Sequence, residues 1–186
     1  MKIPVEISAR HVHLSSQDLD KLFGPGYELK KLKDLSQPGE FAAEEKVTAV
    51  KDANFTFRIV GPTRKQSQIE IAASEAKVLG LKPPLRLSGH LCCVWSKLEV
   101  AGPQGKTKVK VIRAKRHLHC SPADAEKLNI KNNSQVKVKI DNSQGMIFDN
   151  VIVRVGENYK LACHLDIDEA NASGLGRVCG FGHLVK

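Results

Sequence analysis

Apolar and polar residues alternate along most of this chain in short runs, and a period of two marks a strand with one buried face. Runs of β character lie at 4–9, 46–50, 55–60, 68–72, 85–88, 97–101 and 106–114, then at 135–140, 146–155 and 159–165. Gly102-Pro103-Gln104-Gly105 and Asp141-Asn142-Ser143-Gln144-Gly145 interrupt them with the composition of hairpin loops. Helical patterning is confined to 16–22, 74–79, 122–128 and 168–172, each too short to build a helical core. The pattern predicts a mainly β protein made of two barrels or sandwiches, capped by short α-helices.

The number two comes from an internal repeat. Arg10-His11-Val12-His13, trailed by Ser15, Asp18, Lys21 and Leu22, returns as Arg116-His117-Leu118-His119, trailed by Ser121, Asp124, Lys127 and Leu128. Ser15 to Asp18 and Ser121 to Asp124 read as helix N-termini, with Pro122 at the first helical position, so each His-x-His sits where a strand gives way to a helix. A second echo aligns Glu70, Glu75-Ala76 and Gly80-Leu81 with His164, Glu169-Ala170 and Gly174-Leu175. Glu70 and His164 thus occupy equivalent places in two duplicated domains. No low-complexity linker separates the halves.

Composition narrows the class. At 186 residues and 41% hydrophobic, the chain suffices for one generous core or two small ones, and the repeat argues for two. No apolar run approaches the roughly 18 residues of a membrane span, and the N-terminus lacks a signal-peptide pattern. Five cysteines without a C-x-x-C do not suggest a disulfide framework, and a reducing cytoplasm fits best. A net charge of +9 points to an anionic partner. With aromatics at 5% there is little material for base stacking, and Lys106, Lys108 and Lys110 read as the wet face of a strand. A compact phosphate-rich ligand is the expectation, with no nucleic acid and no membrane.

In a strand, side chains two apart share a face, so each His-x-His offers two imidazoles side by side, as a metal ion requires. His11, His13, Glu70, His117, His119 and His164 form a donor set of imidazoles and one carboxylate, suited to zinc or a similar divalent metal in an open site. Two half-chains each giving a His-x-His and one further donor match a pseudo-symmetric binuclear site. Cys120 and Cys163 adjoin donors and point to the opposite face, which assigns them to the core. His90 and His183 have no repeat partners and stay outside the set. Upstream of Glu70, the turn Gly61-Pro62-Thr63-Arg64-Lys65-Gln66-Ser67-Gln68 brings Arg64 close, and its planar fork suits an oxyanion.

Taken together, several blocks resemble the PduL-type phosphotransacylases, the phosphate propanoyltransferases associated with bacterial microcompartments and propanediol utilisation. They are Ser8 to Leu14, Leu35 to Ala42, Gly61 to Ile71, Arg86 to Gly89, Arg116 to His119 and His164 to Ala172, in order over nearly the whole chain. The resemblance implies two β-barrel domains, 10–114 and 1–9 with 115–186, the first strand crossing over to complete the C-terminal barrel. It implies two zinc ions per chain, with His11 and His13 on one and Glu70, His117, His119 and His164 on the other. It further implies phosphate held by Arg64, and coenzyme A contacted by Ser8, Lys33, Arg58 and Asn171. Ser67 stands where threonine is customary, Ala73-Ser74-Glu75 where a Thr-Asp pair is usual, and Gly89-His90 where Gly-Asp is common. The N-terminal helical extension that directs some relatives into a shell is not visible, so a cytoplasmic enzyme is expected, and a homo-oligomer is compatible with the sequence.

The expected activity is acyl transfer between coenzyme A and phosphate, using propanoyl-CoA or another short-chain acyl-CoA. A binuclear zinc hydrolase of a thioester or phosphoester is the alternative enzyme. A binding module with purely structural zinc is the non-enzymatic rival.

Overall fold

A computed structural model describes residues 1–185. In chain order its elements are β1 (Ile3–Ser8), β2 (His11–His13), α1 (Ser16–Phe23), β3 (Lys31–Asp34), β4 (Phe41–Ala49), β5 (Asp52–Gly61), β6 (Gln68–Glu70), α2 (Ala73–Val78) and β7 (Leu85–Arg86). There follow β8 (Lys97–Ala101), β9 (Lys106–Ala114), β10 (His117–Cys120), α3 (Pro122–Leu128), β11 (Gln135–Ile140), β12 (Ile147–Val155), β13 (Ala162–Asp166), α4 (Ile167–Ala172) and β14 (Gly180–Val185). The protein is mainly β, and its chain divides after Ala9 and after Ala114 into two compact units.

One unit joins Met1–Ala9 to the described residues from Lys115 onward. It is a closed six-stranded barrel in the order β1-β13-β10-β12-β11-β14. The other unit, Arg10–Ala114, closes a six-stranded barrel from β4, β5, β2, β6, β9 and β8, because β8 pairs with both β9 and β4. In this second barrel β3 and β7 are additions beside β4 and β9.

The repeat seen in the sequence is a repeat of strand pairing. β2 lies between parallel β5 and antiparallel β6, as β10 lies between parallel β12 and antiparallel β13. β9 occupies in one barrel the place of β1 in the other, parallel to β6 as β1 is to β13. Each of these strands runs on in sequence into the His-x-His strand of the other unit. β1 is separated in sequence from the rest of its barrel, whereas β9 is continuous with its own.

Alternation decides which side chains fill the barrels. Val12, Phe57, Ile59, Ile69 and Val111 belong to the core of one unit, and Ile3, Val5, Leu118, Val138, Cys163 and Leu165 to that of the other, all with at most 1% exposure. Fully burying such a side chain contributes roughly 1.5–3 kcal/mol. Because Val12 and Leu118 point inward, the histidines flanking each point outward, and likewise Glu70 between inward Ile69 and Ile71 and His164 between inward Cys163 and Leu165.

Two strands lay outside the sequence expectation. β3 is exposed throughout and has no alternation to read. β14 carries Gly180 and Gly182, residues that weaken a strand, yet a Cβ on Gly182 would lie 2.6 Å from the Lys139 carbonyl oxygen. Close backbone approach at the barrel seam requires the glycine that hides the strand from a propensity reading.

Candidate active site

The outward donors gather into two groups, one on each unit. His11, His13 and Glu70 form the first, and His117, His119 and His164 the second, with the ligand atoms of each group within 4.8 Å of one another. Strand register does this: Glu70 stands opposite His11 across the antiparallel β2–β6 pair, as His164 stands opposite His117 across β10–β13. The six expected donors fall into these two groups, three on each unit. The resemblance assigned Glu70 to the group of His117, His119 and His164, but the register places its carboxylate with His11 and His13.

In the first group the Nε2 atoms of His11 and His13 are 3.2 Å apart, and Glu70 Oε2 lies 3.8 Å from His11 Nε2. Two nitrogens bound to one tetrahedral zinc at about 2.0 Å stand roughly 3.3 Å apart, so the imidazole spacing fits such an ion. His13 Nδ1 lies 3.0 Å from the Val60 carbonyl, and donation to that oxygen leaves the Nε2 lone pair facing the group. Burial, then the adjacent His11 and Arg64, pushes His13 well below the usual histidine range, so its ring is neutral and able to ligate.

The second group repeats the device. His117 Nδ1 lies 2.9 Å from the Lys115 carbonyl, an arrangement that directs Nε2 to the group. The rings of His117 and His164 stack at 5.0 Å between centroids. His119 is the diagnostic residue, because both its ring nitrogens are buried without a hydrogen-bond partner. Leaving a buried polar group unsatisfied costs about 1–3 kcal/mol, which coordination to a cation would offset. Burial, with His117 and His164, lowers the His119 pKa to about 2. The residues present therefore fit a divalent cation in each group.

Next to each His-x-His strand an ion pair repeats, and further side chains approach the second group. Arg10 Nη1 lies 2.8 Å from Glu75 Oε1 and Arg116 Nε 2.8 Å from Glu169 Oε1, and the same glutamates accept from the backbone N–H of Ala72 and Asp166. The Tyr159 ring stacks on His119 at 4.1 Å. Glu6 Oε2 lies 4.0 Å from His164 Nε2. The repeated Arg and Glu are visible in the sequence as a pattern only. Tyr159 is marked by no periodicity, and the position of Glu6 opposite His164 depends on the β1–β13 register.

Arg64 lies in the Arg10–Ala114 unit, which carries the first donor group. Its Nη1 donates to Ser88 Oγ at 3.0 Å and its Nη2 to Glu40 Oε1 at 2.8 Å, so two of a guanidinium's five donors are engaged. The turn that carries it is tied down by Ser67, whose hydroxyl donates to Asp18 Oδ2 at 2.6 Å. Burial would raise the Asp18 carboxyl, but hydrogen bonds from Ser67, Lys21 and Thr107 outweigh it and hold the pKa below the usual range.

The four expected coenzyme A contacts are divided between the units. Ser8, half-buried, ends β1, and exposed Asn171 lies on α4. Lys33 is exposed on β3, and Arg58 on β5 gives Nη1 to the Ala43 carbonyl at 2.7 Å. Cys120 and Cys163 are fully buried, and burial pushes the Cys163 thiol up to about 12. His183 Nδ1 pairs with Asp141 Oδ1 at 2.6 Å, and His90 is exposed.

Residues 4–176 match the family model described as Phosphate propanoyltransferase. Proteins of that name align over most of the chain. The Thermotoga maritima protein is 47% identical over 178 residues, 93% of this chain and 84% of its own. The Clostridioides difficile protein is 43% identical over 176 residues, covering 92% and 84%. The Listeria monocytogenes protein is 41% identical over 201 residues, covering 99% and 87%. With donor groups, barrels and motif order all accounted for over that shared length, the chain belongs to the phosphate propanoyltransferase family.

Proposed function

We propose that this protein transfers an acyl group reversibly between coenzyme A and inorganic phosphate, taking propanoyl-CoA or another short-chain acyl-CoA and releasing acyl phosphate and CoA. A phosphate oxygen attacks the thioester carbonyl carbon, the C–S bond breaks, and CoA departs as its thiolate. Phosphate is already anionic near neutral pH, so no dedicated base is required. Arg64 binds phosphate through its remaining donors and aims it at the carbonyl. Ser8, Lys33, Arg58 and Asn171 hold coenzyme A. His11, His13 and Glu70 would hold one zinc ion and His117, His119 and His164 the other, two per chain. Bound zinc supplies Lewis-acid stabilisation of the developing thiolate and of phosphate oxygens.

The observation that carries this reading is Arg64, a phosphate-shaped fork on the turn that leads into β6 and Glu70, with two of its five donors engaged by Ser88 and Glu40. No cysteine or serine nucleophile is needed, in keeping with the burial of Cys120 and Cys163. The test is CoA release from propanoyl-CoA by the zinc-loaded protein. Release that requires phosphate and yields acyl phosphate supports transfer. Release undiminished without phosphate would mean hydrolysis by a metal-bound hydroxide, and no release with metal firmly held would mean a structural metal.

A further inference from the structure

Gln68 is 1% exposed and has a full set of partners. Its Nε2 donates to Glu70 Oε1 at 2.6 Å and to Ser88 Oγ at 2.8 Å, and its Oε1 accepts from the Gly89 N–H at 2.9 Å. Ser88 Oγ also accepts from Arg64 Nη1. An unbroken line of hydrogen bonds therefore runs from Glu70 of the first group, through one buried amide and Ser88, to the Arg64 guanidinium.

We propose that Gln68 is a positioning residue that couples ligand binding at the two ends of this line, so that a cation held by His11, His13 and Glu70 and a phosphate held by Arg64 bind more tightly together than apart. The proposal rests on the acyltransferase reading above. The amide has two donors, and both are used. One occupies Glu70 Oε1 and thereby turns Oε2 toward His11; the other fixes Ser88, which fixes Arg64. A shift of the Glu70 carboxylate as it takes up a cation is transmitted through a side chain with no room to move independently, because partly satisfied buried polar networks are costly. Coupling between two binding sites is reciprocal: whatever factor the cation contributes to phosphate affinity, phosphate contributes to cation affinity. Glutamine suits this role because only an amide gives two donors and an acceptor in one plane.

The experiment measures zinc affinity by equilibrium competition with a chelator, with and without inorganic phosphate. In the unaltered protein, phosphate raises the zinc affinity of the first group by about fivefold or more, within the usual range of coupling. Gln68→Met, similar in volume and without donors, binds zinc roughly 10–100-fold more weakly, as for loss of an outer-shell partner, and phosphate no longer raises its affinity. Ser88→Ala leaves Gln68 on Glu70, so zinc without phosphate is held as in the parent, and only the gain from phosphate is lost. Should Gln68→Met fail to fold, Ser88→Ala decides alone. A phosphate gain that persists in Ser88→Ala, or zinc held by Gln68→Met as in the parent, overturns the coupling. Phosphate-dependent CoA release without any phosphate effect on zinc affinity sinks the coupling and leaves the acyltransferase reading standing, whereas phosphate-independent release sinks that reading itself.

Discussion

Tyr159 lies flat against His119, ring centroids 4.1 Å apart and planes inclined by 22°. The turn that carries it is fastened to the ligand strand, since Gly156 donates its N–H to the Cys120 carbonyl and Tyr159 donates to Gly156. A Cβ on Gly156 would approach the tyrosine ring to 2.8 Å, so glycine is what lets the ring close over the imidazole. Stacking restricts the His119 rotamer before any ion arrives. Tyr159→Leu should weaken zinc retention by the second group about tenfold, the lower end for an outer-shell contact. Tyr159→Phe should retain it, and Gly156→Ala should behave like the leucine variant; chelator competition distinguishes the three.

The unpaired ring nitrogens of His119 carry a cost in the metal-free protein. His119→Phe keeps a ring for Tyr159 and removes both polar atoms, so the metal-free variant should be more stable than the metal-free parent by roughly 1–3 kcal/mol in urea unfolding. With zinc present the order reverses, because the variant has lost a ligand.

The same residue sets a pH dependence. Its folded pKa of about 2 lies far below the roughly 6.5 of an unfolded histidine, so between those values the unfolded chain binds a proton that the folded one refuses. Stability of the metal-free protein should therefore fall as pH drops below about 6.5. His119→Phe should flatten that slope, and equal slopes for parent and variant would contradict the assignment.

Arg116 faces Glu169, whose carboxyl is pushed up by burial and by nearby Asp166. Arg116→Met removes the partner of a half-buried carboxylate and should destabilise the protein by about 1–2 kcal/mol, less than a fully buried pair because solvent screens it. The defect should be largest where Glu169 is ionised, above its raised folded pKa. It should shrink as pH falls through that value toward the unfolded one. Glu169→Gln in the same background should recover part of the loss.

Arg64→Ala should cut phosphate-dependent kcat/KM by about 100-fold or more, as for loss of a charged group that orients and stabilises the reacting anion. Zinc content should stay that of the parent, since no donor is changed.

Much of this was legible along the chain because strand alternation is local. His-x-His with an apolar residue between, and Glu70 between Ile69 and Ile71, already put the donors outside the barrels and the aliphatics inside. The echo of Glu70 with His164 corresponds to their matched register opposite His11 and His117, which the division of donors implied by the resemblance does not follow. The repeated Arg10 and Arg116, with Glu75 and Glu169, were visible as a pattern, but their pairing needed the fold, because residues far apart in sequence meet only across a closed barrel. Tyr159, Gln68 and β14 were not legible. Each depends on close approach of backbones or on a side-chain rotamer, and neither leaves a period in the sequence.

The central claim is that the six donors hold two cations, one on each barrel wall. Metal analysis of the zinc-loaded protein, repeated for His117→Ala/His119→Ala and for His11→Ala/His13→Ala, tests it most directly. Two zinc ions per chain, falling to one in either double variant, is the result expected. A parent that binds none, or a count unchanged when either histidine pair is removed, would contradict it.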